Sequence, residues 1–239
     1  DGDGIAENAA TPDTNDDATA IINVFGGAPA IHVRADPGSN IALGPTASTY
    51  GLHVRGNVGA FGVFDGVDAT AIRIEGTATS TVTTAAGIAL DGLVTAAAVE
   101  VDSYGLYLGL GADLGPAAPA PNIRVRREIA STATSETAGD DAFGIFIAAG
   151  ANAPALNNSG AITARVLGET GNAAAITDLS NTLATITNSG SIVAAVTATD
   201  SDANDNIPPP PVTGSATAID VSASSIGVTL EQVADTAFT

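Results

Sequence analysis

Carboxylates that could hold a hard cation are the first candidates for chemistry in this chain. In the stretch DSDAND, Asp200, Asp202 and Asn204 stand at alternate positions, the spacing with which oxygen ligands wrap Ca²⁺. The resemblance to a complete cation loop ends there. Asp205 stands where the turn glycine belongs and Pro211 where the bidentate glutamate belongs, so a solvated acidic loop explains the stretch better than a Ca²⁺ site does. No cofactor is required by any other motif, and Ca²⁺ is the one that the spacing admits. His32 and His53, the only histidines, sit in the matching contexts AIHVR and GLHVR, which predicts equivalent outward positions in neighbouring repeats. With Asp36 they are candidates for a metal or a titrating pair, but two imidazoles without a further strong ligand also read as ordinary surface residues.

A second chemistry would act on polysaccharides, using acidic residues and a base spread over one outer face. Arg73, Glu75, Glu100, Asp102 and Tyr107 are the outward candidates, and they also describe a solvated sheet face. No Gly-Xaa-Ser-Xaa-Gly elbow or other nucleophile arrangement occurs. The expectation is therefore a protein that is not an enzyme.

The elements that must carry these residues are strands. A tetrad of one small residue, one aliphatic, any residue and usually a second aliphatic recurs as AIHV, GLHV, GVFD, AIRI, GIAL, AVEV, GLYL, GIFI, AITD and AIDV. Apolar residues alternating with variable ones mark half-buried strands with the variable position outward. Gly and Thr punctuate every window that could otherwise be helical.

From residue 143 onward the period is legible. LNNSGAITARV starts at Leu156 and ITNSGSIVAAV starts at Ile186, so one circuit takes 30 residues and holds three short strands, over 160–166, 172–179 and 182–188. The next circuit repeats them at 190–196, 216–221 and 225–233, the excess being supplied by the loop-like insert 199–211. Coils that tolerate an insertion at one corner predict an all-β fold, a parallel β-helix with about three short strands per coil. Asn158 is then expected beside Asn188 as a corner ladder, with Gly160 and Gly190 supplying a positive φ.

The corner between first and second strands varies most: 130–141, 167–171 and the insert after Val196. Glu136, Asp140, Asp141 and Glu169, together with the insert's aspartates, form the candidate interaction edge, because loops on a rigid scaffold carry recognition. The expected organisation is an acidic segment over 1–17 and one solenoid over 18–239, less regular over 18–122 and regular over 123–233.

Composition bounds the partners. There are 26 acidic residues against seven arginines and no lysine, and the net charge of −19 excludes nucleic acid and anionic membrane, both of which need a basic footprint. Cys, Met and Trp are absent and nine residues are aromatic, so the interior must be thin and filled by small aliphatics. The most apolar region, 87–115, is broken by Asp91, Glu100, Asp102 and Asp113 and is no membrane span. No basic-then-apolar leader opens the chain.

The turns NSGAI and NSGSI alternating with GNAAAITD, SATAIDV and IGVTL resemble the passenger regions of bacterial autotransporter-type surface proteins. That resemblance is carried mainly by 143–233. It implies export to the Gram-negative cell surface or medium, a β-helical stalk or adhesin, and a C-terminal outer-membrane barrel. Nothing in these 239 residues reads as that barrel, so the expectation is a passenger without its anchor. The expected partners are another copy of the chain, end to end or side by side, or the surface of a host or neighbouring cell.

Overall fold

The computed structural model describes residues 20–45, 50–84, 86–116, 121–135, 139–199 and 210–234, and among them there is no helix. The strands wind in six parallel coils. The first coil contains β1 (Ile21–Phe25), β2 (Ile31–Arg34), β3 (Ile41–Leu43) and β4 (Leu52–Val54). The second repeats that order with β5 (Asn57–Phe61), β6 (Ala69–Glu75), β7 (Val82–Thr84) and β8 (Ile88–Leu90). The third has β9 (Leu93–Val99), β10 (Ser103–Leu108), β11 (Ala112–Asp113) and β12 (Ile123–Val125). The remaining coils have three strands each: β13 (Glu128–Ser135), β14 (Ala142–Ile147) and β15 (Ala155–Asn158); β16 (Ala161–Gly168), β17 (Ala173–Asp178) and β18 (Thr185–Asn188); β19 (Ser191–Thr197), β20 (Ala216–Asp220) and β21 (Thr229–Gln232).

Each strand pairs with its counterpart one coil away, which builds three six-stranded sheets and a short fourth one of β3, β7 and β11. This is the parallel β-helix that the repeat predicts. The fourth strand is the reason the first half of the sequence hides its period: it lengthens the third corner unequally in coils one to three. The 30-residue step emerges only after it disappears.

Inward rows carry the stability. Ile72, Leu106, Ile145 and Ile176 lie over one another in the second sheet. All four are fully buried, as are Val94, Ile129 and Ile162 of the first sheet and Ile88, Ile123 and Ile186 of the third. Burying each such aliphatic is worth about 1.5–3 kcal/mol, so stacked like residues hold coil to coil with no aromatic core.

Six of the ten tetrads, AIHV, AIRI, GLYL, GIFI, AITD and AIDV, fall on this one second sheet, in β2, β6, β10, β14, β17 and β20. Their small first residue has a steric cause. The ladder skips it, passing from Tyr104↔Phe143 to Leu106↔Ile145, and a Cβ on Gly105 would stand 2.4 Å from Ile129 Cγ2. Two tetrads are not strands of this kind. GVFD lies in a turn that exposes Val63 and Phe64, and AVEV runs off the end of β9 into Glu100, whose φ is +55°. Residues 130–135, expected in the variable corner, belong to β13.

The corner ladder is present and longer than expected. Asn158 pairs with Asn188 in register, its Nδ2 donating to Asn188 Oδ1 at 2.7 Å, and Asn188 Nδ2 donates in turn to Gln232 Oε1 at 2.9 Å. Both asparagines are buried. The two glycines need correction. Neither Gly160 nor Gly190 is among the residues with positive φ. They are glycine because the coils approach too closely for a side chain: a Cβ on Gly160 would stand 2.1 Å from the Arg127 carbonyl oxygen, and one on Gly190 would stand 2.0 Å from that of Gly160.

Gly190→Ala is therefore expected to lose at least about 2 kcal/mol in denaturant unfolding, since backbone must move to admit the methyl group. Gly44→Ala, where nothing lies within 4 Å of the added atom, should stay within about 0.5 kcal/mol of the parent.

Candidate functional site

The outer face of the second sheet gathers the chemistry. The bend at the skipped small residue puts positions three apart on the same side, so Tyr104 and Tyr107 both point outward from β10, and Phe143 and Phe146 from β14. Register places Phe143 over Tyr104 and Phe146 over Tyr107. The rings form two stacks, with centroids 5.1 Å apart at 10° for Tyr104 and Phe143, and 5.4 Å apart at 10° for Tyr107 and Phe146. Edge contacts of 4.9–5.6 Å join the stacks into one quartet. Each residue is half-buried. Four of the nine aromatics thus form one patch that no local sequence pattern announces.

A column of side-chain oxygens runs alongside, two residues earlier in each strand. Asp102 Oδ1 accepts the Asp141 amide at 2.8 Å, Asp141 Oδ1 accepts the Asn172 amide at 2.7 Å, and Asn172 Oδ1 accepts the Ser215 amide at 3.2 Å. Asp102 also accepts the Tyr104 hydroxyl at 2.9 Å. Burial and the adjacent Asp102 charge push the Tyr104 hydroxyl far above its ordinary value. Burial raises the Asp141 carboxyl, and the Asp102 charge adds to the rise. Asp140 is raised by burial and by the charges of Glu100, Asp102 and Asp141, and its Oδ2 is buried without a hydrogen-bond partner. The corner is a concentration of negative charge held in place by the fold.

Beyond it, two arginines and both histidines contact carboxylates. Arg73 lies over the Tyr107 ring, 4.5 Å from the centroid, and contacts Glu75 at 2.8 Å; His32 lies 3.0 Å from the same carboxylate. On the third sheet Arg124 lies over Tyr50 at 4.5 Å and contacts Asp91 at 2.6 Å, with His53 2.8 Å from Asp91. Burial acts to raise the Glu75 and Asp91 carboxyls, and the hydrogen bonds from their His and Arg partners outweigh it, holding both below the usual range.

The expected residues are thus dispersed. His32 and His53 are not equivalent, since His32 pairs in register with Arg73 on the second sheet and His53 with Ala89 on the third; the shared sequence context reflects the tetrad, which serves both faces. Asp36 forms no pair with either. Arg73 and Glu75 sit at the far end of the second sheet from Asp102, and Glu100 lies in a turn, so these candidates do not converge in one cleft. Asp140, Asp141 and Glu169 do share the first corner, whose backbone is tied by Thr213 and Gly214 donating to the Glu169 carbonyl at 2.7 and 3.0 Å. Glu136, Asp200, Asp202, Asn204 and Asp205 lie outside the described residues. Among the described residues no group of three or more His, Asp or Glu side chains is placed to hold a metal ion. A cavity of about 520 Å³ opens on the first coil, with Ile22, Ile31, Leu52, His53, Val54 and Val58 among its lining residues.

Comparisons with family models, with curated proteins and with solved structures found no match. The class of the protein, a parallel β-helix, rests on its own geometry.

Two outcomes follow from the electrostatics. Asp141→Asn keeps the carbonyl that the next coil needs and removes a charge whose folded-state pKa is raised, so at pH 7 it should equal or exceed the parent in stability; Asp141→Ala should lose about 1 kcal/mol in the same denaturation. For Asp91 the sign is opposite. Its lowered carboxyl contributes stability above its unfolded pKa of about 3.9 and loses it as pH falls through the lower folded value. The stability gap between parent and Asp91→Asn should be wide at pH 6 and narrow progressively below about pH 4.

Proposed function

We propose that this chain is a non-enzymatic, extracellular β-solenoid that serves as a surface-displayed structural or adhesive scaffold and assembles lengthwise by coil-on-coil stacking. The observation that carries the proposal is the chemistry of the two terminal coils. Among the described residues, β1–β4 and β19–β21 have strand partners on one side only, and an unpaired strand edge is a template for another strand.

The two edges also match row by row. Ile22, Ile31 and Leu52 begin the inward rows that Ile192, Ile219 and Leu230 continue in the sixth coil. A copy stacked in register would therefore set aliphatic against aliphatic in all three sheets. In the outward rows, His32 and His53 head the rows that end at Asp220 and Glu231, so no carboxylate of the sixth coil would meet another carboxylate in these two rows. Ile22 and Leu230 are 46% and 57% exposed, which makes their cover by a following coil favourable. The bacterial cell surface is the setting that the resemblance of the repeated turns implies.

Size-exclusion chromatography with light scattering, followed by electron microscopy, tests this directly. Particles should lengthen with concentration in units of six coils at about 4.8 Å each, and Leu230→Lys should stop the growth while leaving the thermal melt unchanged. Single rods of one chain at every concentration would overturn lengthwise assembly.

A further inference from the structure

We propose that the strip formed by Tyr104, Phe143, Asp102, Asp140 and Asp141 on the outer face of the second sheet docks a basic polypeptide, engaging it through arginine side chains laid against the rings and paired with the carboxylates. The inference rests on the scaffold reading for the exposure of this face, and it names what that face takes.

The recognition chemistry is present twice within the chain itself. Arg73 lies over Tyr107 and pairs with Glu75, and Arg124 lies over Tyr50 and pairs with Asp91. In each case one guanidinium meets a ring face and a carboxylate together, which is what its planar, permanently charged shape suits and what a lysine ammonium does less well. The Tyr104–Phe143 stack repeats the arrangement in rings and carboxylates, but among the described residues no cation completes it. Among the described residues, Asp102, Asp140 and Asp141 take part in no ion pair, all four of those formed being at Glu75 and Asp91.

Register shows where a partner's guanidinium would enter. In the Tyr107–Phe146 stack the outermost ring face is covered by Arg73, its neighbour one coil before. In the Tyr104–Phe143 stack the corresponding neighbours are Thr70 on one side and Ala174 on the other. Both are small, uncharged and themselves buried, so among the described residues no cation lies on this stack, and a guanidinium would reach it along the outer edges of its half-buried rings. The carboxylates flank this stack and not the other: Asp102 is bonded to the Tyr104 hydroxyl, and Asp141 precedes Phe143 by the same two residues as Asp102 precedes Tyr104.

Charge decides the sign of the ligand. A chain of net charge −19 with three crowded carboxylates here repels anions and attracts cations. A neutral saccharide would leave these carboxylates without a counter-charge, so the charge of the face favours a cation over it.

The test is calorimetric titration with the peptide acetyl-Gly-Arg-Gly-Arg-Gly-amide, at about 0.15 M salt so that diffuse attraction to the acidic surface is screened. The comparisons are its lysine and citrulline counterparts and a neutral β-glucan oligosaccharide. Saturable binding in the order arginine, lysine, citrulline is expected. Phe143→Leu should weaken the arginine peptide about tenfold without altering net charge, and the double variant Tyr104→Leu, Phe143→Leu should abolish saturation. Phe61→Leu, which removes a ring from the separate Phe25–Phe61 stack, should bind like the parent, and circular dichroism melts establish that each variant is folded.

Equal affinity in parent and Phe143→Leu would overturn the proposal, as would absence of saturable binding or ring-dependent binding of the oligosaccharide in place of the peptide. Repeating the titration in Leu230→Lys separates the two readings. Binding retained there without lengthwise growth keeps this inference on its own footing, and growth of the parent with no peptide binding removes this inference alone.

Discussion

A parallel coil leaves its corner amides pointing along the solenoid axis; many are received by backbone carbonyls of the adjacent coil, and the rest depend on side-chain oxygens that the adjacent coil supplies. Asn40 accepts Thr81 at 2.9 Å, Asn122 accepts Ala155 at 2.8 Å, and Asn181 accepts Ser225 at 2.5 Å. Asp102, Asp141 and Asn172 do the same at the first corner. Each bond is worth only about 1 kcal/mol net. Collectively they set register, because a strand shifted by one residue would lose its corner acceptors and turn its aliphatic row to solvent.

That requirement explains where the charge goes. Aspartate serves a corner as well as asparagine does, and it also keeps the surface soluble. Burying carboxylates and stacking them at coil spacing both have a cost, visible in Asp140 and Asp141, raised first by burial and further by their neighbours' charges. The first corner limits that cost by changing chemistry along its length, from Asp102 and Asp141 to Asn172 and then Ser215. Elsewhere the chain spends arginines: Arg73 and Arg124 each neutralise one carboxylate and cover one ring.

A scaffold built this way is stiff along its axis and free on its outer faces. Inward rows are committed to small aliphatics, and corners to amide acceptors, so only outward strand positions can vary without unseating a coil. It is in those positions that the aromatic quartet and its carboxylate neighbours stand. Structure and recognition are assigned to different residues of the same strand, separated by the alternation of a pleat.

The sequence by itself determined the coil. Ile176 and Ile219, assigned to equivalent positions from an insertion of loop composition, are partners in register, as are Asn158 and Asn188, because inward rows and corners repeat the same demand at every turn and so leave a period in the chain. Gly160 and Gly190 were legible as corner glycines but not in their cause, since the approach of a carbonyl from another coil leaves no local mark. His32 and His53 looked alike because similar tetrads serve two sheets, and which sheet each joined depended on the fourth strand of the early coils. The quartet was beyond reach for the same reason. Tyr104 and Phe143 are 39 residues apart, with Tyr104 in the part of the chain where the period is masked, and only register, a property of neighbouring coils, could bring ring over ring and carboxylate beside them.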